Sequence, residues 1–316
     1  MENRIKFSIV VVTYNFENII LECLESIKNQ TYKNFEVIIS DDCSKDKTIE
    51  ICKKWKEENK DNFDIKILIS QKNEGVVKNI NKGVKIAKGE WIKTLAGDDL
   101  LEKDALENVN MFIKKNDKAE IVFSKVKRFV VEANKVKYLD IIPENISIYS
   151  ENQEKQLKKL LEDNFIVTPS AIIKNDLLKR VNYYDEKFKM VEDYPFWIKL
   201  LKNNVKFYFL DKITVFYRQS PDSVSGIKKG AKVNPIILEF KKEFYREIYC
   251  KEVKNPLKRW DRYLGIKQEE LILKNGNKSS FFTQILRYFQ IKNLKKYSVR
   301  LIILLIIILF IKRIFC

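Results

Sequence analysis

The sequence predicts an α/β fold, a mostly parallel sheet flanked by helices, on three observations. Strand-then-helix patterns alternate four times within the first 125 residues. The strand segments are short apolar runs rich in Val and Ile, as expected of strands buried on both faces. Acidic or polar side chains stand directly after those runs, at the strand ends where such sheets bind ligands.

The elements justify themselves in order. Ile5 to Val12 is the first strand; after Asn15, read as an N-cap, Ile19, Ile20, Cys23, Leu24 and Ile27 share one helical face. Phe35 to Ile39 is a second strand, and Ser44 to Thr48 opens a helix carrying Ile49, Cys52 and Trp55. Ile65 to Ile69 is a third strand, followed by a helix from Gly75 to Ala87 that Gly89 stops. Trp91 to Leu95 is the fourth strand, and Gly97, read as flexible, leads into Asp98-Asp99. Ala105 to Ile113 is helical, and Ile121 to Phe123 is a fifth strand. Phe129 to Asn164 is polar and fits a hairpin followed by a helix. Regular patterning resumes with Ile166 to Ile173, a helix near Tyr194 to Leu201, and strands at Val205 to Leu210 and Ile213 to Tyr217. Residues 235 to 275 read as charged helix.

Composition narrows the chemistry. The 316 residues contain no histidine, which removes imidazole bases and His metal ligands, so acid–base work falls to carboxylates, Lys, Tyr or Cys. Five cysteines without CxxC spacing indicate neither a zinc site nor a disulfide framework, and a reducing cytoplasm is expected. The opening MENRIKFSIVVVTYN has no signal-peptide pattern and reads as mature protein. The net charge is +17, and from Lys251 onward 15 Lys/Arg stand against 4 Asp/Glu, with no acid after Glu270.

That basic end carries Leu301 to Ile311, eleven uninterrupted apolar residues between Lys295, Lys296 and Arg300 on one side and Lys312 and Arg313 on the other. Crossing a bilayer takes about 20 apolar residues, so a tilted or shallow insertion is expected. Upstream, Phe281, Phe282, Ile285, Leu286 and Phe289 repeat at helical spacing, the pattern of an interfacial helix. The expected partner is an anionic membrane surface rather than nucleic acid, because the basic excess coincides with the apolar tail. A buried C-terminal helix is the alternative.

Three acidic pairs are candidates for chemistry. Asp98-Asp99 offers hard oxygens for Mg²⁺ or Mn²⁺, which also takes pyrophosphate oxygens; an Asp before a helix is equally a cap, and the pair alone does not decide. Asp41-Asp42 ends the second strand, where one carboxylate can accept from a base N–H or a ribose hydroxyl, or cap the next helix. Glu192-Asp193 precedes Tyr194-Pro195-Phe196-Trp197, which suits a general base beside rings that stack on a sugar; favourable acids at a helix start are the alternative.

The order TYN, DDCSKDKT, NEG, AGDD, EDYPFW and YR resembles the family-2 glycosyltransferases of the GT-A fold, over roughly residues 6 to 225. The resemblance implies that Thr13 and Asp42 contact the nucleobase, with Tyr14, Asn15 and Asp41 alongside. Asp98 lies near ribose and diphosphate, Asp99 with Asp98 holds Mn²⁺ or Mg²⁺, Arg218 lies near the diphosphate, and Asp193 is the catalytic base. Where the family often has Arg, this chain has Ile80, so a diphosphate contact is expected from Lys78; Cys43 fills a position often held by Gly. The implied activity is inverting transfer from a nucleoside-diphosphate sugar, a UDP-sugar, to a hydroxyl of a glycan or lipid-linked glycan at the inner face of the plasma membrane. Transfer to a polyprenyl phosphate and a non-catalytic membrane-associated sugar-nucleotide-binding protein are the alternatives. The expected division is 1–230 for the GT-A domain, with 1–125 the nucleotide half and 126–230 the acceptor half, 231–278 a helical extension and 279–316 a membrane-associating tail.

Overall fold

The computed structural model describes residues 5–133, 135–188, 191, 193–220, 231–281, 283, 284, 286 and 290. These fall into two compact units, divided after Ser220. The apolar run 301–311 and residues Phe282, Ile285 and Phe289 lie outside the described residues, as does Glu192.

The first unit opens with β1 (Phe7–Thr13), α1 (Ile20–Lys28), β2 (Phe35–Asp41), α2 (Thr48–Asn59), β3 (Asp64–Ile69), α3 (Val76–Lys85) and β4 (Trp91–Ala96). A two-residue strand, β5 (Leu100–Leu101), precedes α4 (Ala105–Lys115). The second half holds β6 (Ile121–Glu132), β7 (Lys135–Ile142), α5 (Gln153–Glu162), β8 (Ile172–Lys174), α6 (Asn175–Arg180), α7 (Asp193–Lys202) and β9 (Tyr208–Arg218). The described strands form one sheet in the order β3-β2-β1-β4-β8-β6-β9-β5, with β7 paired to β6. β1 to β4 are mutually parallel, as crossover helices require. The direction then reverses: β8 runs antiparallel to both β4 and β6, while β9 runs parallel to β6. The sheet is therefore mixed, and the reversal rests on a three-residue strand too short to show a period in sequence.

The apolar runs explain the core. Every residue of β2 is buried, and α1 turns Ile20, Cys23, Leu24 and Ile27 onto the sheet, where Phe7, Val11, Val37 and Ile39 meet them. Each large side chain so buried contributes roughly 1.5–3 kcal/mol. On α3, a Cβ at Gly83 would stand 2.4 Å from Val10 Cγ1, so only hydrogen at that position lets the helix come this close to β1.

Several local expectations are corrected. Asn15 caps no helix: it adopts φ +55, its Oδ1 accepts the Lys45 N–H at 2.8 Å, and α1 starts at Ile20 without a side-chain cap. Gly97 serves a space requirement rather than flexibility, since a Cβ there would meet Ile20 Cδ1 at 2.8 Å and Phe16 Cδ2 at 3.0 Å. The two strands expected at 205–210 and 213–217 are one strand, β9, in which Asp211 and Lys212 bulge between Leu210, opposite Ser124, and Ile213, opposite Lys125. The ambiguous stretch after Phe129 does form the β6–β7 hairpin and then α5.

The second unit contains α8 (Pro235–Phe244), continued by a wide turn through Tyr249, and α9 (Pro256–Lys274). Asn234 and Asn255 cap the two helices, each accepting two backbone N–H groups with Pro at the first helical turn. Val233, Leu238, Ile266 and Ile272 form its small core, and Lys241 pairs with Glu269 across it. Thr283 and Gln290 are buried, and Gln268 donates to the Thr283 carbonyl, so part of the stretch assigned to the tail packs within this unit.

Candidate active site

The carboxyl ends of β1, β2 and β4 lie side by side, because these strands are parallel neighbours. β1 delivers Thr13-Tyr14-Asn15, β2 delivers Asp41-Asp42, and β4 delivers Gly97-Asp98-Asp99.

At β2 the carboxylates are engaged by the chain. Both oxygens of Asp41 accept from Ser44, one from its N–H at 2.8 Å and one from its hydroxyl. Asp42 Oδ1 accepts the Glu74 N–H at 2.9 Å and Oδ2 accepts the Gly75 N–H at 2.8 Å. The Asp42 N–H in turn donates to the Thr13 carbonyl at 3.1 Å, and the Asn15 N–H donates to Ser44 Oγ at 2.8 Å. The pair thus has a structural task that sequence did not assign it, shaping the loops on either side. Each Asp42 oxygen keeps a second lone pair for a ligand donor. Thr13 Oγ1 is buried with no hydrogen-bond partner among the described residues, and a Cβ at Gly97 would come within 3.2 Å of it. Tyr14 is exposed at the mouth of this group.

At β4 the side chains converge on Arg218, the last residue of β9. Its backbone N–H donates to Asp99 Oδ1 at 3.0 Å, Nε donates to the Asp98 carbonyl at 2.9 Å, and Nη2 pairs with Glu22 Oε2 at 2.6 Å. The guanidinium lies 4.7 Å from the Phe129 ring centre, a cation–π contact. Asp99 is 1% exposed, and among the described residues nothing donates to its second oxygen. Burial, and then the Asp98 charge, push the Asp99 carboxyl well above the usual carboxylate range; burial also raises Asp98. Two adjacent carboxylates, Asp99 buried and Asp98 half-buried, short of positive charge, fit a hard divalent cation that completes its shell with phosphate oxygens and water. No group of three or more acidic, His or Cys side chains suited to a metal occurs among the described residues, so the protein's share would be these two.

Among the described residues the other candidates have different partners from this cluster. Lys78 is exposed and pairs with Glu74 at 3.7 Å, one helical turn away; among the described residues no contact joins it to Asp98 or Asp99. Asp193 is the first residue of α7, where Thr168 Oγ1 donates to its Oδ2 at 2.5 Å. The rings expected to stack on a sugar are core instead: Phe196 and Trp197 are fully buried, and Trp197 packs on Phe123 at 5.2 Å.

Sequence reasoning missed Glu22, Ser44, Lys93 and Thr168. Lys93 alone left a signal, a lysine inside an apolar strand run. It is fully buried, and burial pulls its ammonium down to about 7.

The chain belongs to glycosyl transferase family 2, whose family profile matches residues 8–181. It is 32% identical over 227 residues to the uncharacterized glycosyltransferase MJ1057 of Methanocaldococcus jannaschii, covering 70% of this chain and 74% of that protein. It is 29% identical over 224 residues to the UDP-Glc:alpha-D-GlcNAc-diphosphoundecaprenol beta-1,3-glucosyltransferase WfaP of Escherichia coli, covering 70% and 80%. The chain spans 80% of the length of WfaP but only 27% of the Bacillus subtilis minor teichoic acid biosynthesis protein GgaB, which it also resembles. The crystal structure of Staphylococcus aureus TarS 1-349 in complex with UDP-GlcNAc superposes with a TM-score of 0.59 at 22% identity, covering 92% of this chain and 89% of that one. The fold is accordingly GT-A.

Proposed function

We propose that this family-2 glycosyltransferase transfers a sugar from a UDP-sugar to a hydroxyl of a lipid-linked or polymeric glycan, with inversion. The observation that carries the reading is the Asp98-Asp99-Arg218 cluster at the end of β4, beside the Thr13 and Asp42 loops. Thr13 and Asp42 bind the nucleobase, with Tyr14, Asn15 and Asp41 shaping that pocket. Arg218 holds the Asp98-Asp99 turn in place and sets positive charge beside the diphosphate. Asp99 with Asp98 would hold Mn²⁺ or Mg²⁺, which supplies neutralisation of the charge developing on the nucleoside diphosphate. Asp193 takes the proton of the acceptor hydroxyl as that oxygen attacks the anomeric carbon and the carbon–diphosphate oxygen bond breaks. One base and a leaving group on opposite sides of the sugar give inversion without a covalent intermediate. Ile80 is buried and Lys78 points to Glu74, so Lys78 reaches a diphosphate only by releasing that partner.

The donor class is supported by two similar proteins, the UDP-Glc-dependent transferase WfaP and TarS in its complex with UDP-GlcNAc. The acceptor class is supported by the diphosphoundecaprenol-linked acceptor in the WfaP name. No helix among the described residues is long and apolar enough to cross a membrane. Membrane attachment through the basic apolar tail therefore rests on its sequence alone.

The deciding experiment is a thermal-shift screen of nucleoside-diphosphate sugars with Mn²⁺. A UDP-sugar that raises the melting temperature, with a shift lost in EDTA, supports the reading. Absence of any shift, together with absence of UDP release, overturns it.

A further inference from the structure

The turn Thr168–Ser170 belongs to none of the acidic pairs, yet it touches the candidate base directly. Thr168 Oγ1 donates to Asp193 Oδ2 at 2.5 Å, and the Tyr194 N–H donates to Oδ1 at 2.7 Å. Each carboxylate oxygen therefore has its own donor, which fixes the plane of the group and leaves further lone pairs for a substrate proton. The Thr168 hydroxyl is itself placed from behind, since Trp197 Nε1 approaches its Oγ1 at 3.4 Å. That indole cannot drift: it is wedged edge-on against Phe123 and Phe207 in the core.

The backbone of the turn is anchored as firmly. Ser170 and Ala171 close it with N–H bonds of 3.0 Å to the Val167 and Thr168 carbonyls. Lys93 Nζ reaches out of β4 and donates to the Pro169 carbonyl and, at 3.4 Å, to that of Ala171. Burying an ammonium is unfavourable, and a leucine or methionine would fill a sheet interior without that penalty. What the ammonium does there is bridge β4, the strand that ends in Asp98-Asp99, to the loop carrying Thr168. β8, which follows the loop, is hydrogen-bonded to β4 with Ile172 opposite Lys93, so the two segments are already held in register.

We propose that Thr168 is a positioning residue for Asp193, and that Lys93 acts one step further back by clamping the turn from which Thr168 projects. The arrangement makes β4 a common ruler, with one end setting the two donor-side carboxylates and its middle setting the acceptor-side base. The inference rests on Asp193 being the base, as proposed above. A base displaced by a fraction of an ångström loses rate without losing donor.

The test compares Thr168→Val, Thr168→Ser, Lys93→Met, the double variant Thr168→Val/Lys93→Met and Asp193→Asn in the full chain. UDP binding is measured by calorimetry with Mn²⁺. Turnover is measured as UDP release from a panel of UDP-sugars that includes UDP-glucose and UDP-N-acetylglucosamine. Thr168→Val is expected to lower kcat roughly 10- to 100-fold, with donor KM and UDP affinity within about twofold of wild type. Thr168→Ser restores most of the rate because it keeps the hydroxyl. Lys93→Met lowers kcat less, and the double variant is no slower than Thr168→Val, because both changes act on one contact. Crystal structures of wild type and Thr168→Val supply a readout independent of substrate, in which the Asp193 carboxylate leaves its single orientation; Thr168→Ala replaces the valine variant if that fails to fold. A Thr168→Val protein with normal kcat beside an inactive Asp193→Asn overturns the positioning role alone, as does a serine variant no better than valine. An Asp193→Asn protein that turns over normally, or a wild type that releases UDP from no sugar in the panel, removes the base assignment and the inference with it.

Discussion

Replacing Asp99 by Asn is expected to make the metal-free protein more stable while abolishing its metal-dependent ligand binding. Asn is nearly the same shape and its Oδ1 still accepts the Arg218 N–H, so that hydrogen bond to the residue 99 side chain survives. What disappears is a buried negative charge beside Asp98, offset only in part by Arg218 and Lys93. Relief of an incompletely compensated buried charge is worth on the order of 1–3 kcal/mol. For a unit of this size each kcal/mol moves the melting temperature by about 2–4 °C, so the gain is about 2–12 °C. The sign with pH follows from the raised Asp99 carboxyl. A group whose folded value lies above its unfolded one contributes stability at acid pH that is lost as pH rises through the folded value. The two proteins should therefore melt together at low pH and separate toward pH 8, with the Asn variant on top. The assay is thermal melting in EDTA across that range, repeated with MnCl₂ and UDP. Ligand at a hundred times its Kd adds about 2.7 kcal/mol to the wild type and should add almost nothing to the variant. An Asn variant that melts below wild type in EDTA at pH 8, or keeps the full Mn²⁺/UDP shift, would refute the reasoning.

Four shorter predictions accompany it. Asp193→Asn should keep UDP affinity and lose roughly 10²- to 10⁴-fold in kcat, measured by UDP release; weakened UDP binding at normal rate would make it a donor ligand instead. Lys93 sits at about 7, below its ordinary value, so wild-type stability should rise between pH 7 and 10 by up to about 1.4 kcal/mol per pH unit, and Lys93→Met should flatten that rise in denaturant titrations. Gly89→Ala places a Cβ 2.5 Å from the Ser8 nitrogen and 2.6 Å from the Phe7 carbonyl carbon, backbone that cannot rotate away, and should cost about 1–3 kcal/mol or more by chemical denaturation. A protein ending after Gln290 spares the buried Thr283 and Gln290; it should bind UDP like the full chain and fail to sediment with anionic vesicles, whereas unchanged sedimentation would place the membrane contact elsewhere.

The parallel half of the fold was legible because its signals are local. Short apolar runs, each followed by a helical face, imply parallel pairing for β1 to β4, as the structure shows. The Asp98-Asp99 pair was legible for the same reason, standing directly at a strand end. What sequence could not show was partnership at a distance. Nothing near Asp193 points 25 residues back to Thr168, and nothing near Asp99 points 119 residues on to Arg218. The aromatic run after Asp193 was misread because an amphipathic pattern does not distinguish rings facing a ligand from rings facing a core. Asn15 was misread because Asn serves helix caps and left-handed turns equally well, and here φ is +55.

The Arg218 contacts also bear on the order in which the protein acquires competence. The bond to Asp99 joins positions 119 residues apart, and the pair with Glu22 joins positions 196 apart. Strands β1 to β4 form from neighbouring segments, whose loop closures are short and fast. β9 docks only after the whole intervening chain has been made, so the cluster closes late in folding. A chain not yet made through β9 would carry Asp98 and Asp99 without the Arg218 groups that contact them. The three contacts of Arg218 thus form only in a chain that has completed the sheet through β9, the last strand of the first unit.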